Sequence, residues 1–272
     1  MSDEIAAGPD QWLDWRRGDC EAFPARDETA IWSRVGIAMK AGSRPAPSPT
    51  ASSSAVESPA SGQAARELIR GLYAITPDEA DTGALVRAVE QTLGAGTRLL
   101  QYRNKKAGPL VRREQLRVLQ PICAAFGCTL VVNDDWREAI DLGIGAVHIG
   151  GDDGNAAEVR AAIGPEVILG VSCYASLARA AESAPHADYL AFGSMFPSST
   201  KPTAVSAAMG MLREARGLGK PLVAIGGINR DNARLALDAG ADAIAVISGV
   251  FGEASVAEAT AALLKIIGSV RK

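Results

Sequence analysis

The sequence predicts an α/β protein, a closed (β/α)8 barrel of the TIM type, behind an N-terminal extension that is disordered or only loosely docked. Three observations carry this. Short, continuous apolar runs recur eight times between residues 71 and 248. Stretches of helix length, each with one apolar face, separate them. A segment rich in Pro, Ala and Ser divides this repeating body from the first 40 residues.

The runs are GLYAIT (71–76), TRLLQY (97–102), TLVVN (129–133), AVHIG (146–150), VILGVS (167–172), YLAFG (189–193), PLVAIG (221–226) and AIAVIS (243–248). They are rich in Val, Ile and Leu and continuously apolar, as parallel strands covered on both faces should be. Between them, ALVRAVEQTL sets Leu85, Val86, Val89 and Leu93 on one helical face. VRREQLRVLQPICAAFG, AAEVRAAIG, DNARLALDAG and VAEATAALLKII behave alike. Gly96, Gly127, Gly143 and Gly240 stand where such helices should stop. Eight strand–helix units between residues 71 and 272 fit the lower size range of a closed barrel. An open doubly wound sheet would carry a Gly-rich fingerprint after its first strand, and that turn reads ITPDEADTG.

Three segments follow. Residues 41–65, including AGSRPAPSPTASSSAVESPASGQ, bury too little apolar surface to offset ordering and read as a linker. Residues 1–40 form an extension of unassigned role. It holds Trp12, Trp15 and Trp32, three of the four tryptophans, so a short docking helix pair competes with a poorly ordered tail. Residues 66–272 are the barrel domain.

Composition excludes several classes. With 47% hydrophobic and 22% charged residues the chain can bury a large core. A net charge of −3 gives no field for nucleic acid. No apolar run approaches the roughly 18 residues of a membrane span. The opening MSDEIAAGPD lacks a secretory apolar region. Cys20, Cys123, Cys128 and Cys173 are too sparse for a disulfide framework and read as reduced thiols of a cytoplasmic protein.

A barrel of this type places its active site at the C-terminal strand ends. Those ends supply Gln101 to Lys106, then Asn133-Asp134-Asp135, Gly150 to Asp153, Ser172, Phe196 to Lys201, Gly226-Gly227-Ile228 and Ile247-Ser248-Gly249. Arg103, Lys105 and Lys201 are cations, and Asp134 and Asp153 are acids on adjacent strand ends. Hard oxygen ligands beside cations suit a magnesium-bound diphosphate. Glycines after the seventh and eighth strands suit a phosphate held by backbone N–H groups. Each part also has a plainer reading. Gly226-Gly227 fits a simple tight turn, and Asp134, Asp135, Asp152 and Asp153 fit helix N-caps. Arg103 and Lys105 fit a solvated loop. His148, inside a strand, fits a packed residue.

Together QYRNK, VVND, HIGGDD, GVSCY, FGSMFPSSTKP, VAIGGI and VISGV resemble, in order and spacing, the thiamine-phosphate synthases over residues 66–272. The resemblance implies a transferase of thiamine biosynthesis. It joins a hydroxymethylpyrimidine diphosphate to a thiazole phosphate and releases diphosphate, with Mg²⁺ as cofactor. It implies pyrimidine-diphosphate binding by Gln101, Tyr102, Arg103, Asn104, Lys105, Asn133, Ser172 and Lys201, with Arg103, Lys105, Ser172 and Lys201 acting in catalysis. Asp134 and Asp153 resemble the metal ligands. Ser198, Ser199, Thr200, Gly227, Ile247 and Ser248 resemble the thiazole-phosphate site. Phosphorylated small molecules are the implied partners, with no nucleic acid and no membrane, and self-association into a homo-oligomer stays open. Two positions depart from the family: Gly151 stands where Gln is frequent, and Tyr174 where many members carry His. A thiazole tautomerase of the same fold and a non-catalytic precursor-binding barrel are the rival readings. The intact QYRNK and Tyr174 count against the first, and the presence of Asp134, Asp153 and Lys201 against the second.

Overall fold

The computed structural model describes residues 67–151, 153–197, 207 and 209–270. The extension, the linker, Asp152 and the four residues Ser198, Ser199, Thr200 and Lys201 lie outside the described residues.

Eight parallel strands close into one barrel, each hydrogen-bonded to its neighbours in chain order and the last to the first. They are β1 (Gly71–Ile75), β2 (Leu99–Tyr102), β3 (Thr129–Asn133), β4 (Ala146–Ile149), β5 (Ile168–Tyr174), β6 (Tyr189–Phe192), β7 (Leu222–Ile225) and β8 (Ala243–Val246). Each apolar run thus became a strand. Most ladders stop before the run does, because the last residues turn out into the rim loops. β5 instead runs on to Tyr174, with a register shift between Ser172 and Tyr174.

The helices are α1 (Thr82–Gly94), α2 (Pro109–Ala125), α3 (Trp136–Asp141), α4 (Ala156–Ile163), α5 (Leu177–Ser183), α6 (Met209–Ala215), α7 (Ala233–Asp238), α8 (Ser248–Phe251) and α9 (Val256–Val270). α1 starts where the Asp81 carboxylate accepts from Ala84 N at 3.0 Å, and it buries Leu85, Val89 and Leu93. α2 begins at Pro109, whose fixed φ suits a first turn. The four glycines read as helix stops all take positive φ. Among the described residues, no helix is long and apolar enough to cross a membrane.

Strand alternation sorts side chains into two apolar layers. Tyr73, Ile75, Leu99, Val131, Ala146, Tyr189, Ala191, Val223, Ala243 and Ala245 fill the barrel. Leu72, Ala74, Leu100, Val132, Val147, Leu169, Leu190 and Ile244 face the helices. Gly170 is small for a local reason: a Cβ there would overlap the Tyr189 ring. The same alternation turns Gln101 inward and Tyr102 outward, one residue apart.

Candidate active site

The loop after β2 is held by side chains from the end of β1 and the loop that follows it. The Thr76 hydroxyl accepts from Arg103 N (2.8 Å) and donates to Arg103 O (2.9 Å), which clamps that backbone. Asp78 Oδ1 accepts from Arg103 Nη1 (2.9 Å) and from Lys105 N (2.7 Å). Arg103 is therefore an oriented, half-buried guanidinium rather than part of a solvated loop. Asn104 and Tyr102 play another part. Asn104 Nδ2 donates to Glu79 O and Gln115 Oε1, and its Oδ1 accepts from Ala107 N. Tyr102 Oη donates to Gln115 Oε1 at 2.7 Å. Both are buried, and these bonds tie the β1 and β2 loops to α2. These bonds hold the loop, and both residues also line the cavity beside Lys105 and Asp134.

The two acids meet. Asp134 has a left-handed backbone (φ 65°), uncommon outside glycine, and donates its N–H to His148 O at 2.8 Å. That turn aims its carboxylate at Lys105 Nζ, 2.9 Å away, and at Asp153. Burial pushes the Asp134 carboxyl up, but Lys105 and a hydrogen bond from Asp153 outweigh it, so the group lies below its ordinary value. Burial first, and then the neighbouring Asp134, push Asp153 up. Two carboxylates forced to share a site are short of positive charge. A divalent cation fits that need, as Mg²⁺ takes one or two carboxylates together with phosphate oxygens and water. Among the described residues, no third His, Cys, Asp or Glu joins the pair.

Capping does not compete with this. Asp135 accepts from Glu138 N (3.1 Å) and starts α3, as expected. α4 is capped by Asn155, which accepts from Ala157 N at 2.8 Å. Asp153 instead accepts from Gly150 N at 2.7 Å and stays on the rim.

The two departures from the family occupy one place. Tyr174 Oη accepts from Gly151 N at 2.8 Å, and a Cβ at Gly151 would lie 3.3 Å from that oxygen. The phenol fills the space a larger residue 151 would take. Arg179 supports the same loop, donating to Gly150 O (3.0 Å) and Ser172 O (2.8 Å).

Below the rim, Ser172 Oγ lies 2.9 Å from His148 Nε2, and His148 Nδ1 lies 3.0 Å from Tyr189 Oη. Gln101 Nε2 donates to Tyr73 Oη at 2.9 Å. Asn133 ends β3 half-buried. Opposite, the loops after β6 and β7 are zipped together by Met195 N to Ile225 O (2.9 Å) and Phe196 N to Gly226 O (3.0 Å). Gly226 (φ 99°) and Gly227 (φ 64°) have positive φ, and a Cβ on either would overlap the adjoining loop. Asn232 Nδ2 donates to Gly227 O, and Ser248 opens α8 beside Ile247. A cavity of about 380 Å³ opens to the β2–β3 side, lined by Lys105, Arg112, Asn133, Asp134, Trp136 and Asp153, with Tyr102 and Asn104 in its wall.

The structure brings Lys105, Asp134 and Asp153 into contact, sets Arg103 beside Lys105 through Asp78, and links Gln101 to Ser172 from beneath. Thr76, Asp78, Tyr73, Tyr189 and Arg179 were not foreseen. The available signals were a carboxylate just past β1 and tyrosines inside apolar strands, whose hydroxyls need partners.

Comparison with known proteins places the chain among relatives. The model of the family described as thiamine monophosphate synthase matches residues 72–250. The thiamine-phosphate synthase of Azoarcus sp. (strain BH72) is 50% identical over 190 residues, covering 69% of this chain and 92% of its own. That of Methylobacillus flagellatus is 49% identical over 189 residues, covering 69% and 90%. Among solved structures, the thiamine phosphate pyrophosphorylase from Pyrococcus furiosus is 32% identical with a TM-score of 0.63, over 76% of this chain and 99% of that one.

Proposed function

The chain belongs to the thiamine monophosphate synthase family, and from that premise we propose how its rim carries out the reaction. The enzyme condenses 4-amino-2-methyl-5-hydroxymethylpyrimidine diphosphate with hydroxyethylthiazole phosphate, giving thiamine phosphate and diphosphate. The bond between the pyrimidine methylene carbon and the diphosphate oxygen breaks, and the oxygen keeps the electron pair. The thiazole nitrogen then supplies the pair for the new C–N bond.

The observation that carries this reading is the contact of Lys105, Asp134 and Asp153 at the mouth of one closed barrel. Asp134 and Asp153 would hold Mg²⁺, which supplies positive charge to the leaving diphosphate. Lys105 and Arg103, with Lys201 from the family pattern, bind and orient that diphosphate and stabilise the charge growing on it. Asp78 keeps the Arg103 guanidinium aimed. Gln101, Asn133 and Ser172 hold the pyrimidine. On the other side, Gly227, Ile247 and Ser248 receive the thiazole phosphate through backbone N–H groups, with Ser198, Ser199 and Thr200 completing that site. A dry barrel mouth keeps water from the electron-poor methylene until the thiazole arrives. The thiazole nitrogen carries a lone pair and needs no general base. Cytoplasmic residence belongs to the same reading, supported by the free thiols of Cys123, Cys128 and Cys173. The tautomerase reading loses its footing, because position 174 holds a tyrosine already bonded to Gly151 N.

The test is direct. Purified protein with both phosphorylated precursors and Mg²⁺ should yield thiamine phosphate and diphosphate. Asp134→Ala should lose roughly 10²–10³ in kcat/KM, the scale for one preorganised electrostatic group. Turnover in that variant equal to the parent would remove Asp134 from the machinery.

A further inference from the structure

Five residues from five strands form one hydrogen-bonded chain across the barrel interior. Gln101 Nε2 donates to Tyr73 Oη (2.9 Å), and Tyr73 Oη lies 2.8 Å from Tyr189 Oη. Tyr189 Oη lies 3.0 Å from His148 Nδ1, and His148 Nε2 lies 2.9 Å from Ser172 Oγ. Tyr73 and Tyr189 are almost fully buried, at 1% and 0% exposed. The Tyr189 and His148 rings stack with centroids 5.5 Å apart. Burial pushes both phenols well above their ordinary value, so each keeps its hydrogen.

A phenol has one hydrogen to donate, and this gives the chain a direction. Gln101 already donates to Tyr73. If His148 carried a proton on Nδ1, it would donate to Tyr189, and Tyr189 would donate back to Tyr73. The buried Tyr73 hydrogen would then lack an acceptor, a costly state. The opposite order satisfies every group: Tyr73 donates to Tyr189, Tyr189 to His148 Nδ1, and His148 Nε2–H to Ser172 Oγ. The two ends facing the rim are then fixed. Gln101 presents its Oε1 acceptor, and Ser172 presents its O–H donor.

We propose that Tyr73, Tyr189 and His148 are positioning residues that set the hydrogen-bond polarity of Gln101 and Ser172 toward the pyrimidine from below. The proposal rests on the transferase reading for its ligand. The pyrimidine amino group donates to the Gln101 oxygen, and an acceptor there pushes electron density into the ring as the diphosphate departs. Ser172 meets the ring nitrogen or diphosphate oxygen as a donor. Because the elements are joined, changing one end must reorient the other.

The experiment reads that orientation without substrate. ¹⁵N-histidine NMR distinguishes ring tautomers, and the chain has two histidines, His148 and His186, which a His186→Gln variant separates. The parent protein should show His148 bare at Nδ1 and protonated at Nε2. In Gln101→Glu the carboxylate can only accept from Tyr73, so the chain reverses and the His148 proton moves to Nδ1. Adding Tyr189→Phe breaks the chain, and Gln101→Glu should then leave the His148 signal unmoved. Tyr189→Phe alone should keep the fold and lower kcat about tenfold, with KM for the pyrimidine diphosphate nearly constant. A parent His148 protonated at Nδ1, or a tautomer indifferent to Gln101→Glu, overturns the proposal even if the protein makes thiamine phosphate. The predicted tautomers in a protein that forms no product would sink the transferase reading and leave the chain's direction standing.

Discussion

Replacing Gly227 with alanine separates two effects that usually arrive together. Gly227 and Gly143 have nearly the same backbone, φ 64° and 66°. An alanine at either pays a left-handed cost of roughly 1–2 kcal/mol. Around Gly143 nothing lies within 4 Å of the new Cβ. Around Gly227 the Cβ would overlap Pro197 O and lie 2.8 Å from Phe196 O and 2.9 Å from Phe196 C. These are backbone atoms of the neighbouring rim loop, and no rotamer can move them away. Overpacking of this kind adds roughly 1–3 kcal/mol. Gly143→Ala should therefore cost roughly 1–2 kcal/mol and Gly227→Ala roughly 2–5. At about 2–4 °C per kcal/mol for a domain of this size, the melting shifts separate clearly. Urea titration and calorimetry measure both. Kinetics adds a second reading. Gly227→Ala should raise KM for thiazole phosphate about tenfold to hundredfold, since small misplacements of a phosphate cradle are expensive. Gly143→Ala, at the opposite end of its strand–helix unit, should leave KM alone. Equal stability losses within about 0.5 kcal/mol, with thiazole KM unchanged in both, would refute the close-approach argument.

Three other outcomes follow from the same geometry. Tyr174→Phe removes the acceptor for Gly151 N and loosens the loop carrying Asp153, so Mg²⁺ activation should weaken by about tenfold while thiazole KM stays flat; a Mg²⁺ curve superimposable on the parent's would deny Tyr174 that role. Burial and the neighbouring Asp134 push the Asp153 carboxyl above its ordinary value, so its proton competes with metal as pH falls; calorimetric Mg²⁺ affinity should therefore weaken on acidification and do so less in Asp153→Asn, whereas an equally steep parent and variant would place the titration elsewhere. Asn155→Ala should cost about 1 kcal/mol of stability, as loss of an N-cap does, without touching Mg²⁺ affinity, and a stability change near zero would mean Asn155 is not the cap that matters.

The barrel was legible because its signal is local and repeated. Eight apolar runs separated by amphipathic stretches leave few alternatives, and all eight proved to be strands. The helices missing from the reading, α5, α6 and α8, are four to seven residues long, and so short a segment shows little periodicity. The site was legible in outline because strand ends gather on one rim. Roles within QYRNK were not. Gln101 and Tyr102 are adjacent in the chain, yet strand alternation sends one toward the barrel interior and the other toward α2. Asp152 and Asp153 both looked like caps, and only the backbone path showed Asn155 taking that position.

The sequence by itself determined the class of fold and the family. Those depend on periodicity and on residue types at fixed spacing, which a chain carries wherever it lies. Tertiary structure alone decided partnership. It paired Arg103 with Asp78, set Asp134 against Lys105 and Asp153, filled the space beside Gly151 with Tyr174, and joined Gln101 to Ser172 through Tyr73, Tyr189 and His148. Each of these contacts spans from about twenty to more than a hundred residues of chain, and only closure of the ring of strands brings such distant groups within hydrogen-bond reach.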